Sequence, residues 1–379
     1  MRTSSTATSR LAGTKLADAK LAGSVPAGAV RSRRVWHLEG GGTRIAVTDR
    51  GASWLSCGLE MGGGVWREVL LGHDKPSLYG TQPGYLGAIV GRYANRIADA
   101  RFTAPQGQTS ELLPNEGCSQ LHGGPDGFDK RDWQVLSHGP RQITFGLASP
   151  AGDQGFPGNL HAQVTYEVRP DGAVTIRFDT SVDAPCPVSL SSHGYFNLDG
   201  VNELGDHGDV LAHTLWVDAQ QYLPVNVRLI PTGEFAAVGG TPFDFSRPTR
   251  LQSALSRAHP QLALGGGLDH CFVLNARCRG GESPAASLGS ADGLLSMALS
   301  TSYPGLQCYS GNYLSGLPGR QGRTLQQHAG LALEPEYFPD SPNHPEWPQP
   351  SCWQQPGETR SHFVRFEFER HRIPLTNQF

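Results

Sequence analysis

The stretch 159–182, NLHAQVTYEVRPDGAVTIRFDTSV, holds the chain to one kind of architecture. Apolar and polar residues alternate on both sides of Pro170-Asp171-Gly172, and a side-chain period of two belongs to a strand with one buried face. Pro, Asp and Gly in that order supply a tight turn, so the stretch reads as a hairpin. The same punctuation recurs along the chain. Gly (48) and Pro (28) make up about a fifth of the 379 residues. Few long helices survive so many breakers, whereas short strands joined by tight turns do.

From Val35 onward the pattern stays strand-like. Residues 36–61 alternate and break at Gly clusters, as antiparallel hairpins do. Part of 84–102 could be argued as helix, but Gly87 and Gly91 weaken that reading. One short helix is expected around 252–258, and the polar run 276–293 reads as a long hairpin tip. Turn signals recur at roughly the 8–12-residue spacing of a β-sandwich. No repeat or linker divides 35–379.

Charge and cysteine usage narrow the function classes. Residues 1–34 carry seven Lys/Arg against Asp18 alone, a net of +6, which leaves −9 on the rest of a chain whose formal charge is −3. A body of that sign carries no electrostatic footprint for nucleic acid. Seven cysteines, odd in number and without a C-x-x-C pair, read as free thiols in a reducing compartment, not as disulfides or a zinc ribbon. The 1–34 stretch is Ser-, Ala- and Gly-rich, and it reads as a disordered or targeting-like tail. It lacks the apolar run of a secretory signal or membrane span, so a cytoplasmic location is expected, with organelle targeting the lesser alternative.

The chemistry-bearing residues cluster in five places. Arg92, Asn95 and Arg96 put two planar guanidinium forks and an amide within five residues, a set suited to hydroxyls or carboxylates. His122 precedes a Gly-Gly turn, with Trp133 on what should be the next strand, and is a candidate sugar contact. In SSHGYFNLDG, 191–200, His193 sits before Tyr195 and Phe196, read as a strand end, and Asp199-Gly200, read as a turn. An imidazole there can carry a proton near neutral pH. Asp269 and His270 follow three glycines. Glu334 and Glu336 flank Pro335, which suggests a strand that is ending or at an edge. Each alone is equally a surface or structural residue.

Together they are specific. GRYANRI, LHGG with the later Trp133, HGYFNL, GLDHCF, QCYSGNYL and LEPEYFPDSPNHPEWPQP occur in the order and spacing of the aldose 1-epimerase, or galactose mutarotase, family. The chain resembles that family along nearly all of 35–379. The resemblance implies an all-β fold, a large antiparallel β-sandwich of the galactose mutarotase-like supersandwich type. It implies an open sugar cleft, no metal and no organic cofactor, in a monomer or homodimer acting on a small-molecule aldose. It makes His193 the general acid and Glu334 the general base. Arg96, His122 and Asp269 become sugar-binding residues, with Asn95, Tyr195, Gln307 and Glu336 as further contacts. Where the family usually has Gln, this chain has Glu336, which either tunes Glu334 or binds a hydroxyl.

Interconverting anomers needs those residue types. A base removes the C1 hydroxyl proton while an acid protonates the ring oxygen, and the ring opens and recloses on its other face. Rival readings are a hexose-6-phosphate epimerase using Arg92 and Arg96, a glycosidase using Asp269 and Glu334, and a non-catalytic sugar-binding protein. A metal on His122, His193 and His270 lacks supporting spacing.

Overall fold

The computed structural model describes residues 34–200 and 208–371; apart from Arg34, the tail expected at 1–34 lies outside the described residues. The 159–182 hairpin forms as its alternation requires. Strand Leu160–Val168 turns alternate residues inward: Leu160, Ala162, Val164, Tyr166 and Val168 are buried on one face. Strand Val174–Val182 does the same with Val174, Ile176, Phe178 and Val182. Each large apolar side chain fully buried this way is worth about 1.5–3 kcal/mol. The turn closes where Gly172 N–H donates to Arg169 O, at a glycine φ of 87°.

This hairpin lies within a nine-stranded sheet. Its spatial order is Gln134–His138, Gln142–Ser149, Leu160–Val168, Val174–Val182, Thr359–Arg370, Leu295–Thr301, Ala286–Gly289, Thr214–Val217 and Thr249–Arg250. A six-stranded sheet runs Tyr195–Phe196, Leu331–Glu336, Gly305–Tyr309, Asp269–Leu274, Ala219–Tyr222 and Ala236–Ala237. A four-stranded meander, Val35–Gly40, Thr43–Thr48, Trp54–Gly62 and Val65–Glu68, joins them. Pairing in all three sheets is antiparallel. Trp54 of the meander sits at the junction. Its ring lies 6.5 Å from Tyr166, 5.8 Å from Phe196 and 5.5 Å from Phe366, so one side chain contacts strands of both larger sheets.

The six-stranded sheet positions the site. Leu331–Glu336 is buried along its whole length and uses its two faces differently. Leu331 and Leu333 enter the main apolar core with Leu306 and Cys308, while Ala332, Glu334 and Glu336 share the opposite face. Register carries that face across the sheet: Tyr195 pairs with Ala332, Gln307 with Glu334, and Asp269 with Tyr309. Pro335 lies one residue before the strand's end, where a missing N–H is tolerated.

Some local expectations change. The helix expected around 252–258 is Leu251–Leu255, and a second, Pro260–Gly265, follows it. The run 276–293 is not a solvent-exposed tip. It contains strand Ala286–Gly289 in the nine-stranded sheet, with Ala286 and Leu288 fully buried, a face too short to stand out among its polar neighbours. Trp133 packs in the core with Nε1–H donating to Phe128 O. No helix among the described residues is long and apolar enough to cross a membrane.

Candidate active site

A cleft of about 330 Å³ opens on the polar face of the six-stranded sheet, near the lower end of small-molecule sites. Its floor is set by strand register. Glu334 and Gln307 come from paired positions, and Asp269 enters from the next strand, accepting a hydrogen bond from Gln307 Nε2 at 2.5 Å. His193 sits at the entry to Tyr195–Phe196 and brings Nε2 to 3.5 Å from Glu334 Oε2. Three rings hold the imidazole: Tyr195 at 4.9 Å, His122 at 5.2 Å and Tyr85, nearly parallel, at 5.7 Å between centroids.

The wall opposite the floor is built from loops in strained conformations. Tyr85, Asn95 and His122 adopt left-handed φ values of 55°, 64° and 52°. Non-glycine residues rarely do so, at a cost of order 1–3 kcal/mol each, and such strain concentrates at functional sites. Asn95 is the joint of this wall. Its backbone N–H donates to His122 Nδ1 at 3.1 Å, its side-chain oxygen accepts from Arg96 N–H at 2.8 Å, and its Nδ2 donates to Glu336 Oε1 at 2.9 Å. Arg96 is held by Glu116, with Nε to Oε2 at 2.6 Å and Nη2 to Oε1 at 2.9 Å. Its Nη1 stays 3.9 Å from Asp269 Oδ2.

Burial governs the charges. It pushes His193 down to about 4, so the ring is neutral in the empty cleft. Burial also raises Glu334 well above the usual carboxylate range, reinforced by the like charges of Glu336 and Asp269 and opposed by Arg96. Asp269 is raised by burial against the pull of Arg96. Glu336 is raised by burial against its Asn95 hydrogen bond. Burial thus disfavours the charged forms of both His193 and Glu334, whose Nε2 and Oε2 approach to 3.5 Å.

The sequence-derived residues divide accordingly. Asn95, Arg96, His122, His193, Tyr195, Asp269, Gln307 and Glu334 all line the cleft. Glu336 is not among the residues lining the cleft; it is fully buried and accepts a hydrogen bond from Asn95. Arg92 points elsewhere: its guanidinium donates to the carbonyls of Ser149, Pro150, Pro157 and Gly158 and packs against Phe156. His270 is on the sheet's apolar face, with Nε2 at 3.1 Å from Gln261 Oε1. Tyr85, Glu116, Tyr309, Tyr313 and Leu229 also line the cleft, and sequence reasoning missed them. Tyr85 stands between Gly84 and Gly87 in a segment already suspected, and Tyr309 and Tyr313 lie within the QCYSGNYL motif, whereas Glu116 and Leu229 carried no signal.

His122, His193 and Glu334 bring ligand-capable atoms within 4.8 Å of one another, and all three are buried. Their hydrogen bonding does not suit a metal. A neutral imidazole that accepts at Nδ1, as His122 does from Asn95, carries its proton on Nε2 and offers the cleft a donor instead of a lone pair. Burial keeps His122 neutral, with His193 adding to the effect. The arrangement presents donors (Arg96, His122) and acceptors (Asp269, Gln307) for hydroxyl groups around one proton-transfer pair.

The chain as a whole is similar to known proteins. The family model for aldose 1-epimerase matches residues 34–367. The chain is 45% identical over 327 residues to the aldose 1-epimerase of Escherichia coli K12, covering 86% of this chain and 92% of that protein. It is 36% identical over 304 residues to the galactose mutarotase of Bos taurus, covering 79% and 84%. Among solved structures, a GalM/aldose epimerase homologue from C. elegans superposes with a TM-score of 0.81 at 25% identity, covering 90% of this chain and all of that one. Galactose 1-epimerase from Lactobacillus acidophilus gives 0.76 at 26% identity, covering 90% and 95%. The strand register that brings Glu334, Gln307 and Asp269 to one face, and the match along nearly the whole described chain, lead to one conclusion: this is an enzyme of the aldose 1-epimerase family.

Proposed function

We propose that the enzyme interconverts the α and β anomers of free aldohexoses such as D-galactose and D-glucose, with His193 and Glu334 as the acid–base pair. The observation that carries the reading is the 3.5 Å approach of His193 Nε2 to Glu334 Oε2 inside a cleft lined by hydroxyl-binding groups. Glu334 removes the C1 hydroxyl proton while His193 protonates the ring oxygen. The C1–O5 bond breaks, and the open aldehyde turns about C1–C2. His193 then takes back the C5 hydroxyl proton as Glu334 returns its own to the carbonyl oxygen. Each transfer contributes about 10²–10⁴-fold. Arg96, His122, Asp269 and Gln307 hold the remaining hydroxyls, and their contribution is orientation.

The burial of the pair fits the midpoint of this cycle. After ring opening Glu334 is protonated and His193 neutral, the very states that burial favours. The charged pair needed at the start is disfavoured without substrate, so bound hydroxyls must supply the hydrogen bonds that burial removed.

A free sugar suits the cleft better than a sugar phosphate. Arg92 lies outside it and Arg96 is already engaged by Glu116, so no unoccupied guanidinium lines it among the described residues. All seven cysteines are free thiols, which supports a reducing compartment such as the cytoplasm. The test is polarimetry of freshly dissolved α-D-galactose and α-D-glucose with and without enzyme. Acceleration of either decay supports the reading. If neither decay is accelerated at micromolar protein, a sugar-binding protein without catalysis takes its place.

A further inference from the structure

The ribbon that carries Arg96 also carries the group that grips it. Strand Arg96–Ile97 pairs antiparallel with Gln120–Leu121, which sets Arg96 opposite Leu121. A tight turn leads into that second strand: Glu116 and Ser119 exchange backbone hydrogen bonds at 2.9 and 3.1 Å, with Gly117 at a φ of 59°. Asn115 ties the turn to the ribbon. Its side chain accepts from Leu121 N–H at 2.7 Å and donates to Leu121 O at 3.0 Å. His122 follows at once, its N–H donating to Asn95 O at 3.0 Å. Register and turn together bring Glu116 back to Arg96. Glu116 lines the cleft with 39% of its side chain exposed, against 9% for Arg96. No step of the proposed reaction uses Glu116.

Building on the mutarotase reading, we propose that Glu116 is the positioning residue of Arg96: it fixes the guanidinium's orientation at the sugar cleft, and its negative charge offsets that of Arg96 there. The geometry supports both parts. Glu116 takes Nε and Nη2 with its two oxygens, at 2.6 and 2.9 Å, a fork-to-fork pairing that sets the guanidinium plane. Nη1 stands 3.9 Å from Asp269 Oδ2, beyond hydrogen-bond reach, and is the nitrogen left to donate to a hydroxyl. The groups facing Arg96 are Glu116, Asp269, Tyr85 and His122, with Glu334 and Glu336 within electrostatic reach. Burial opposes the charge of Arg96, and Asp269 and Glu116 more than restore it. Burial raises Asp269 and Glu334; Arg96 pulls both down, and at Asp269 Glu116 works against that pull. Without Glu116 the cleft would hold a less balanced cation, and Glu334 would give up its proton at lower pH.

The experiment follows D-galactose mutarotation against pH in wild type, Glu116→Gln, Glu116→Ala and Glu116→Asp. Glutamine keeps the size and one acceptor oxygen but removes the charge. Its basic limb should move to lower pH by about half a unit to one unit. That is less than the roughly 1–3 units of a charge in direct contact, because Glu116 acts from beyond Arg96. Alanine removes the orienting bonds as well. It should show the same limb shift together with a rise in galactose KM of about 5-fold, the reach of a partly exposed ion pair, and larger than any fall in kcat. Aspartate keeps the charge on a stem one methylene shorter, so its limb should stay with wild type even where KM rises. A merely structural role would leave the limb in place in all three variants. A limb in Glu116→Gln that coincides with wild type, or one that moves equally in Glu116→Asp, overturns the charge role. An unchanged KM in Glu116→Ala overturns the orienting role. Should wild type accelerate no aldose, the functional reading is at fault instead, and calorimetric binding of galactose decides the orienting role without catalysis. Glu116→Ala should then bind about 5-fold more weakly than wild type, and equal affinity overturns the proposal.

Discussion

Replacing Glu336 by Gln separates the two carboxylates of the Leu331–Glu336 strand. Glu336 is fully buried, and its one assigned partner is Asn95 Nδ2, which donates to Oε1 at 2.9 Å. An amide oxygen can accept that bond equally well, so the joint that positions His122 and Arg96 survives. What changes is proton linkage. Burial raises the folded-state proton affinity of Glu336, so the folded protein keeps a proton that the unfolded chain has released. Stability from that proton is present below the unfolded carboxylate pKa and is lost as pH rises toward the folded one. The loss is up to about 1.4 kcal/mol per pH unit for as long as the folded protein alone holds the proton. Across two units, for example pH 5 to 7, the glutamate forfeits at most about 2.7 kcal/mol that the glutamine does not. Denaturant unfolding of both proteins at pH 5 and pH 7 should therefore show Glu336→Gln gaining on wild type at the higher pH. Activity should be largely kept. At pH values high enough to ionise Glu336, the substitution also removes its repulsion of Glu334, so the basic limb of the rate profile should move to lower pH. Glu334→Gln, by contrast, removes the proton acceptor and should cost about 10²–10⁴-fold in turnover. Equal stability gaps at the two pH values, or loss of turnover in Glu336→Gln with retention in Glu334→Gln, would refute the assignment.

His193→Asn keeps a polar side chain of similar reach without a titratable proton. Turnover should drop by about 10²-fold or more with a smaller change in KM, as stopped-flow polarimetry would record. The rate profile should be bell-shaped with limbs belonging to the pair: activity falls at the acid end as a second proton enters on His193, near 4, and at the basic end as Glu334 loses its own. A flat rate from pH 4 to 9 counts against the pair. Arg92→Met should leave KM for galactose near wild type yet lower stability by about 3–5 kcal/mol in chemical unfolding, because several buried carbonyls lose a charged donor together.

How much of this was legible in the sequence depends on what each feature rests on. The 159–182 hairpin was readable because alternation and turn chemistry are local. Tyr195, Gln307, Asp269 and Glu334 were readable through their motifs, but their convergence was not, since it comes from register among strands far apart in the chain. Arg92 and Arg96 show the limit most sharply. Four residues apart and chemically identical, they enter different environments, one donating to backbone carbonyls and the other gripped by Glu116 at the cleft. Nothing in the composition of either segment distinguishes them. Glu116 and Leu229 were illegible for a related reason: each matters only through a loop that approaches the cleft from elsewhere, and loops carry little periodic signal. The strand at 286–289 was hidden because it is only four residues long, shows just Ala286 and Leu288 to the core, and sits among polar and glycine-rich neighbours.

The cleft's charge balance explains why burial can be tolerated at all. Glu116, Asp269, Glu334 and Glu336 gather around a single guanidinium, Arg96, and Glu116 already occupies two of its donor nitrogens. With all four ionised, the three inner carboxylates would repel one another where water cannot screen them. Protons relieve this, and the raised affinities of Asp269, Glu334 and Glu336 are the form the relief takes. On the proposed mechanism, a site that lends and recovers one proton per ring opening gains from carboxyls with raised proton affinity. The arrangement also sets a constraint on Asn95. It is the residue through which Glu336, His122 and Arg96 all register their positions, and its left-handed backbone is what lets one amide group serve the three at once. A proton moving on or off Glu336 therefore reaches Glu334 by charge and the sugar-binding wall by hydrogen bond. A glutamine at that position would keep the second route and remove the first.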